Sequence, residues 1–91
     1  YSVLYVEDEP LIAMDAEAML RELGCEKLTV VMTFEDARLA IQDNRFDLAV
    51  MDINLGGGKT SLPLVGPLKL AGTRVVLASG YNSGRAEDDT I

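Results

Sequence analysis

Four short apolar runs alternate along this chain with segments of helical periodicity, and that alternation restricts the fold more than any other feature. Residues 2–6 read as a buried strand, Leu28 to Met32 as a second, Leu48 to Met51 as a third and Arg74 to Ala78 as a fourth. Between the first two, Ile12, Ala16, Met19, Leu20 and Leu23 recur at helical spacing, Pro10 suits a first turn, Asp8 or Glu9 is available as cap, and Gly24 is a stop. Thr33, with Asp36 three residues on, resembles a capping box opening a helix through about Asp43, with Phe34, Ala37, Ala40 and Ile41 on one face. Leu62 to Leu70 reads as a helix ended by Gly72, but Pro67 has no N–H to donate, so a short, kinked or late-starting helix is expected. Residues 82–91 are polar and read as loop or frayed helix. Near-continuous apolar strands alternating with helices predict an α/β fold, a doubly wound parallel sheet covered on both faces.

Two of the runs end in acids. Glu7, Asp8 and Glu9 follow the first strand, and Asp52 follows the third, ahead of Ile53-Asn54-Leu55 and three glycines. Ligands of open α/β sheets bind at the carboxyl ends of the strands, near the point where strand order reverses. If the first and third strands are neighbours, Glu7, Asp8 and Asp52 converge, and like charges so close disfavour ionisation unless a cation offsets them. A hard cation with oxygen ligands, Mg²⁺ or Mn²⁺, suits the set, and the Asn54 backbone carbonyl could join it. The competing reading is helix capping by Asp8 and plain solvation of Asp52.

Composition removes whole classes of chemistry. The chain has no histidine, which excludes Ser-His-Asp, Cys-His and His-metal centres. Its one cysteine, Cys25, cannot form an internal disulfide, so a reducing compartment fits and an idle thiol is expected. A net charge of −7 argues against nucleic acid or an anionic membrane as direct partner. No apolar stretch approaches the ~20 residues of a membrane span. At 91 residues one domain is expected, covering residues 1–91, and the start without Met, directly in a strand, reads as a trimmed N-terminus. Met14, Met19, Met32 and Met51 are expected to be core filler. "GGGKTS" (56–61) invites a nucleotide reading, but a phosphate-binding loop wants glycine where Ile53 stands, and the acidic strand end would repel triphosphate, leaving Lys59 a solvated charge. Aspartate-nucleophile phosphohydrolases want an acid where Asn54 stands.

The segments "VLYVEDEP", "LAVMDINLGGG" and "RVVLASGY" together resemble the receiver domain of two-component response regulators, in order and spacing, over essentially the whole chain. The short loop and "SGY" resemble a compact, single-domain or kinase-linked subgroup. The resemblance implies a flavodoxin-like sheet that accepts a phosphoryl group on Asp52 from a phosphohistidine on a sensor kinase or phosphotransfer protein, in the cytoplasm. It implies Mg²⁺ (or Mn²⁺) held by Asp8, Asp52 and the Asn54 carbonyl, with Glu7 acting through water. Ser79 would be the phosphoryl-sensing hydroxyl, and Tyr81 an aromatic at the sheet edge. Any catalysis would be self-phosphorylation and dephosphorylation rather than turnover.

The sequence departs from the family in one respect. The family's fifth strand carries a lysine before a proline, and after Tyr81 the only base is Arg85. The fold is therefore expected to lack the fifth strand and last helix, because residues lie beyond Ile91, because a neighbouring chain completes the sheet, or because the domain is degenerate. The two prolines of the third helix also put the usual partner-binding geometry there in question. The alternative function is a receiver-like interaction module that is not phosphorylated; a weaker third is a metal-binding regulatory domain within a kinase.

Overall fold

All four strands form where the apolar runs stand. The computed structural model describes residues 1–78, and its elements run β1 (Ser2–Val6), α1 (Pro10–Glu22), β2 (Lys27–Val31), α2 (Phe34–Asp43), β3 (Leu48–Asp52), α3 (Leu62–Leu70) and β4 (Arg74–Ala78). Every strand pair is parallel, in the order β2-β1-β3-β4, so the first and third strands are neighbours as expected. This is the start of the flavodoxin-like doubly wound order, whose last strand and last helix are not among the described residues. The chain steps one way from β1 to β2, then back across β1 to β3 and on to β4. Right-handed crossovers then put α1 on one face and α2 and α3 on the other.

The packed core follows that division. Leu4, Val6, Ala49, Met51, Val75 and Leu77 alternate along the strands onto the α2–α3 face, where they cluster with Ala37, Phe46, Leu55, Leu64 and Leu68. Phe34, Ala40 and Ile41 pack against this cluster, as the helical spacing predicted. On the opposite face α1 buries a narrow stripe centred on Ala13, with Ile12, Ala16 and Leu20 half-buried. Met19 and Leu23, expected inside, are 59% and 77% exposed. They lie off the i, i+4, i+8 line that meets the sheet, and α1 is the one helix of that face among the described residues. Of the four methionines only Met51 is core; Met14, Met19 and Met32 are exposed, because α1 and the end of β2 offer no second layer to bury them.

The helix ends show which local signals decide. Thr33 Oγ1 accepts from the Asp36 N–H at 3.0 Å, so the expected cap forms, without the return bond of a full capping box. Neither Asp8 nor Glu9 caps α1 with its side chain; Glu9 stands at the N-cap and its N–H donates to Glu7 Oε2 at 3.2 Å. Both α1 and α3 close in the Schellman pattern, with Cys25 N–H to the Leu20 carbonyl and Thr73 N–H to the Leu68 carbonyl.

Helix α3 survives Pro67. The missing N–H removes one bond inside the helix, a loss of about 3 kcal/mol. Leu64 and Leu68 are 4% and 1% exposed, and burying two leucines returns roughly 1.5–3 kcal/mol each. Burial therefore outweighs the proline. Ser61, at the helix start, is wholly buried, and its hydroxyl has no hydrogen-bond partner among the described residues. Ser61→Ala is expected to stabilise the protein by about 1 kcal/mol by removing that desolvated hydroxyl, read as a rise in the thermal midpoint.

Candidate functional site

Strand geometry fixes the acids. The β1 ladder extends one residue past Val6, with Glu7 N–H donating to the Val31 carbonyl at 3.1 Å, and β3 likewise extends through Ile53 N–H to the Ala78 carbonyl at 2.9 Å. Glu7 and Asp52 are thus held at the carboxyl edge by two interior strands, and Asp8 stands where the chain leaves β1. Glu7, Asp8 and Asp52 each bring a carboxylate oxygen within 4.8 Å of the others. Glu7 and Asp52 are 8% and 9% exposed, while Asp8 is open to water.

The cluster is electrostatically strained. Burial pushes the Asp52 carboxyl above its ordinary range, and the Asp8 charge pushes it the same way. Burial also raises Glu7, against the pull of the Glu9 N–H, and the charges of Asp52 and Asp8 raise it further. Tyr5, two residues before Glu7 and so on the same side of β1, has its phenol raised by burial, then by Glu7 and Asp52. Asp52 Oδ1 is buried and has no hydrogen-bond partner among the described residues. An orphaned carboxylate oxygen beside two more carboxylates is the donor set of a hard cation.

The glycine-rich loop supplies the fourth candidate donor. Asn54 and Thr60 form an isolated antiparallel bridge, flanked by Leu55 N–H to the Lys59 carbonyl and Ser61 N–H to the Ile53 carbonyl, both 2.9 Å. The Asn54 carbonyl receives no backbone N–H among the described residues, so it is available to an ion. Gly56, Gly57 and Gly58 all take positive φ (83°, 59° and 79°), which is why three glycines stand in this turn. A Cβ on Gly56 would lie 3.2 Å from Asp8 Oδ2, whereas one on Gly58 would meet nothing within 4 Å. The loop packs its backbone onto an acid rather than cradling an anion, in keeping with the rejected nucleotide reading. Gly56→Ala is expected to cost about 1–2 kcal/mol in left-handed strain and to weaken Mg²⁺ binding by displacing Asp8. Gly58→Ala should cost similar stability and leave Mg²⁺ affinity intact, measured by thermal melts and metal titration.

Of the residues singled out in the sequence, Glu7, Asp8, Asp52 and Asn54 are brought to one edge. Ser79, Tyr81 and Arg85 lie outside the described residues. Gly56 and Tyr5 were not anticipated: the period-two spacing of Tyr5 from Glu7 carried the signal for one, but the contact of Gly56 with Asp8 joins β1 to a distant loop.

No protein-family model matches the chain. The phyllosphere-induced regulator PhyR of Methylorubrum extorquens is 40% identical over 67 residues, covering 72% of this chain and 25% of PhyR. The chain thus spans about a quarter of the curated relative it matches. The solution structure of SdrG from Sphingomonas melonis Fr1 superposes with a TM-score of 0.77 at 36% identity, covering 96% of this chain and 71% of SdrG. A further SdrG structure, described as the BeF3-activated conformation, gives 0.74 at 34% identity over 98% of this chain and 79% of that one. Identity and fold shared at this level with SdrG, together with a doubly wound sheet carrying acids at its β1 and β3 ends, define a response regulator receiver domain, and the chain belongs to that family.

Proposed function

We propose that this receiver domain is a phosphoacceptor in two-component signalling, taking a phosphoryl group onto Asp52 from a phosphohistidine kinase or phosphotransfer protein. The observation that carries this reading is the nearly buried Asp52 carboxylate beside Asp8 and Glu7, its Oδ1 without a hydrogen-bond partner among the described residues. A relative, SdrG, having a BeF3-activated conformation supports an activatable switch. Bound Mg²⁺ (or Mn²⁺) would neutralise the carboxylates and the incoming phosphoryl oxygens. Asp8, Asp52 and the Asn54 carbonyl would hold it directly, and Glu7 through water.

Asp52 supplies the nucleophile: one carboxylate oxygen forms the O–P bond as the P–N bond to the donor's imidazole breaks and the freed imidazole keeps the electron pair. Ser79 would donate its hydroxyl to the phosphoryl group. A cytoplasmic site fits a domain in which no described helix is long and apolar enough to cross a membrane. The test is incubation with acetyl phosphate and Mg²⁺, followed by intact mass. A phosphoryl increment present in the wild type and absent in Asp52→Asn is the expected result. Its absence from folded wild-type protein would favour an unphosphorylated interaction module instead.

A further inference from the structure

Lys59 is the residue of the glycine loop that the phosphoacceptor site leaves unused; it is exposed, as expected of a solvated charge, yet it also stands against an aromatic ring. Its ammonium lies over the Phe34 ring, 5.4 Å from the centroid. Phe34 opens α2 and packs against the main core, so the ring is a fixed platform. The Lys59 charge also helps hold the Glu35 carboxyl below its ordinary range, after the larger effect of Arg38. A cation at a helix N-terminus is opposed by the helix dipole. The ring face and Glu35 supply the attraction that holds it there.

The backbone of Lys59 closes the loop at the same point. Its carbonyl accepts from Leu55 N–H at 2.9 Å and its N–H donates to the Gly56 carbonyl at 3.0 Å. The five residues Leu55–Lys59 thus form a closed turn flanked by Asn54, with Gly56 against the Asp8 carboxylate. Three of its five residues are glycines, so its conformational freedom is large and an anchor at one end matters. We propose that Lys59 is a positioning residue: by clamping the β3–α3 loop to Phe34 of α2, it holds the Asn54 carbonyl and Gly56 in place for cation binding at Asp8 and Asp52. The proposal rests on the Mg²⁺ reading of the site and couples the position of α2 to metal affinity.

The experiment is Mn²⁺ binding followed by electron paramagnetic resonance with Mg²⁺ competition, alongside thermal melts. Lys59→Ala is expected to weaken both metals by roughly two- to fivefold, with the fold retained. Phe34→Leu should weaken them equally, the double variant should be no weaker than either single, and Lys59→Arg should restore wild-type affinity. Unchanged affinity in Lys59→Ala, or failure of Lys59→Arg to restore it, overturns the clamp. Wild-type protein that binds no metal, or an Asp8→Asn variant that binds it as well as wild type, overturns the site reading itself, so the two failures are distinct.

Discussion

Asp52→Asn is expected to abolish phosphoryl acceptance while raising the thermal midpoint of the metal-free protein. The two effects have one origin. On the proposed reading Asp52 is the nucleophile because it is a carboxylate set at a strand end, and it is a burden because burial and the Asp8 charge both oppose its ionisation. Asparagine keeps the shape and removes the repulsion. With water screening this open edge, the gain is about 1 kcal/mol, or roughly 4–8 °C for a domain of this size. Melts in EDTA and intact-mass analysis after acetyl phosphate treatment read the two effects separately. A lower midpoint in EDTA would show that Asp52 makes a stabilising contact and is not strained.

The second large effect is a reversal of pH dependence by Mg²⁺. In EDTA, Glu7 and Asp52 bind protons more readily in the folded chain than in the unfolded one, because both are raised. Stability therefore falls as pH rises above their ordinary values of 4.5 and 3.8 and through their raised folded values. Lowering the pH from neutral toward 4.5 should therefore raise the midpoint. Asp47 and Glu35 act oppositely: the Ser2 N–H lowers Asp47, and Arg38 lowers Glu35. Their contribution is lost only as pH falls through values below 3.8 and 4.5, outside that window. With Mg²⁺ bound, deprotonated ligands are required, so acid should lower the midpoint. At a hundredfold excess over Kd the ion adds roughly 2.7 kcal/mol. A slope of the same sign with and without Mg²⁺ would remove the carboxylate cluster as its binding site.

How much of this was legible in the sequence depended on whether the signal was local. Strand runs, the Thr33 cap and the helix-closing glycines are set within a few residues, and each formed where expected. The acids were legible because strand ends are local, but their convergence hung on β1 lying beside β3, which the sheet order supplies and alternation alone does not. The buried face of α1 was not: its apolar residues spread around the helix, and only the sheet selects the line through Ala13 and Ala16. The exposed methionines failed for the same reason. Pro67 was legible as a limit on α3, which is a short helix of nine residues, and the burial of Leu64 and Leu68 explains why it forms at all. At the site, the approach of Gly56 to Asp8 depends on tertiary structure, which spacing alone does not encode.

Parallel pairing of β1 with β3 has a kinetic consequence. Ser2 and Asp47, bonded where the two strands meet, are 45 residues apart along the chain. The intervening α1, β2 and α2 must be accommodated before Asp8 and Asp52 can meet, and the loop closure is paid before any ion is bound. No partly built hairpin carries the donor set. A cation that recognises the finished edge therefore arrives after the rate-limiting assembly. It should leave refolding rates almost unchanged and slow unfolding instead, so that Mg²⁺ acts on the lifetime of the native domain rather than on the speed with which it forms.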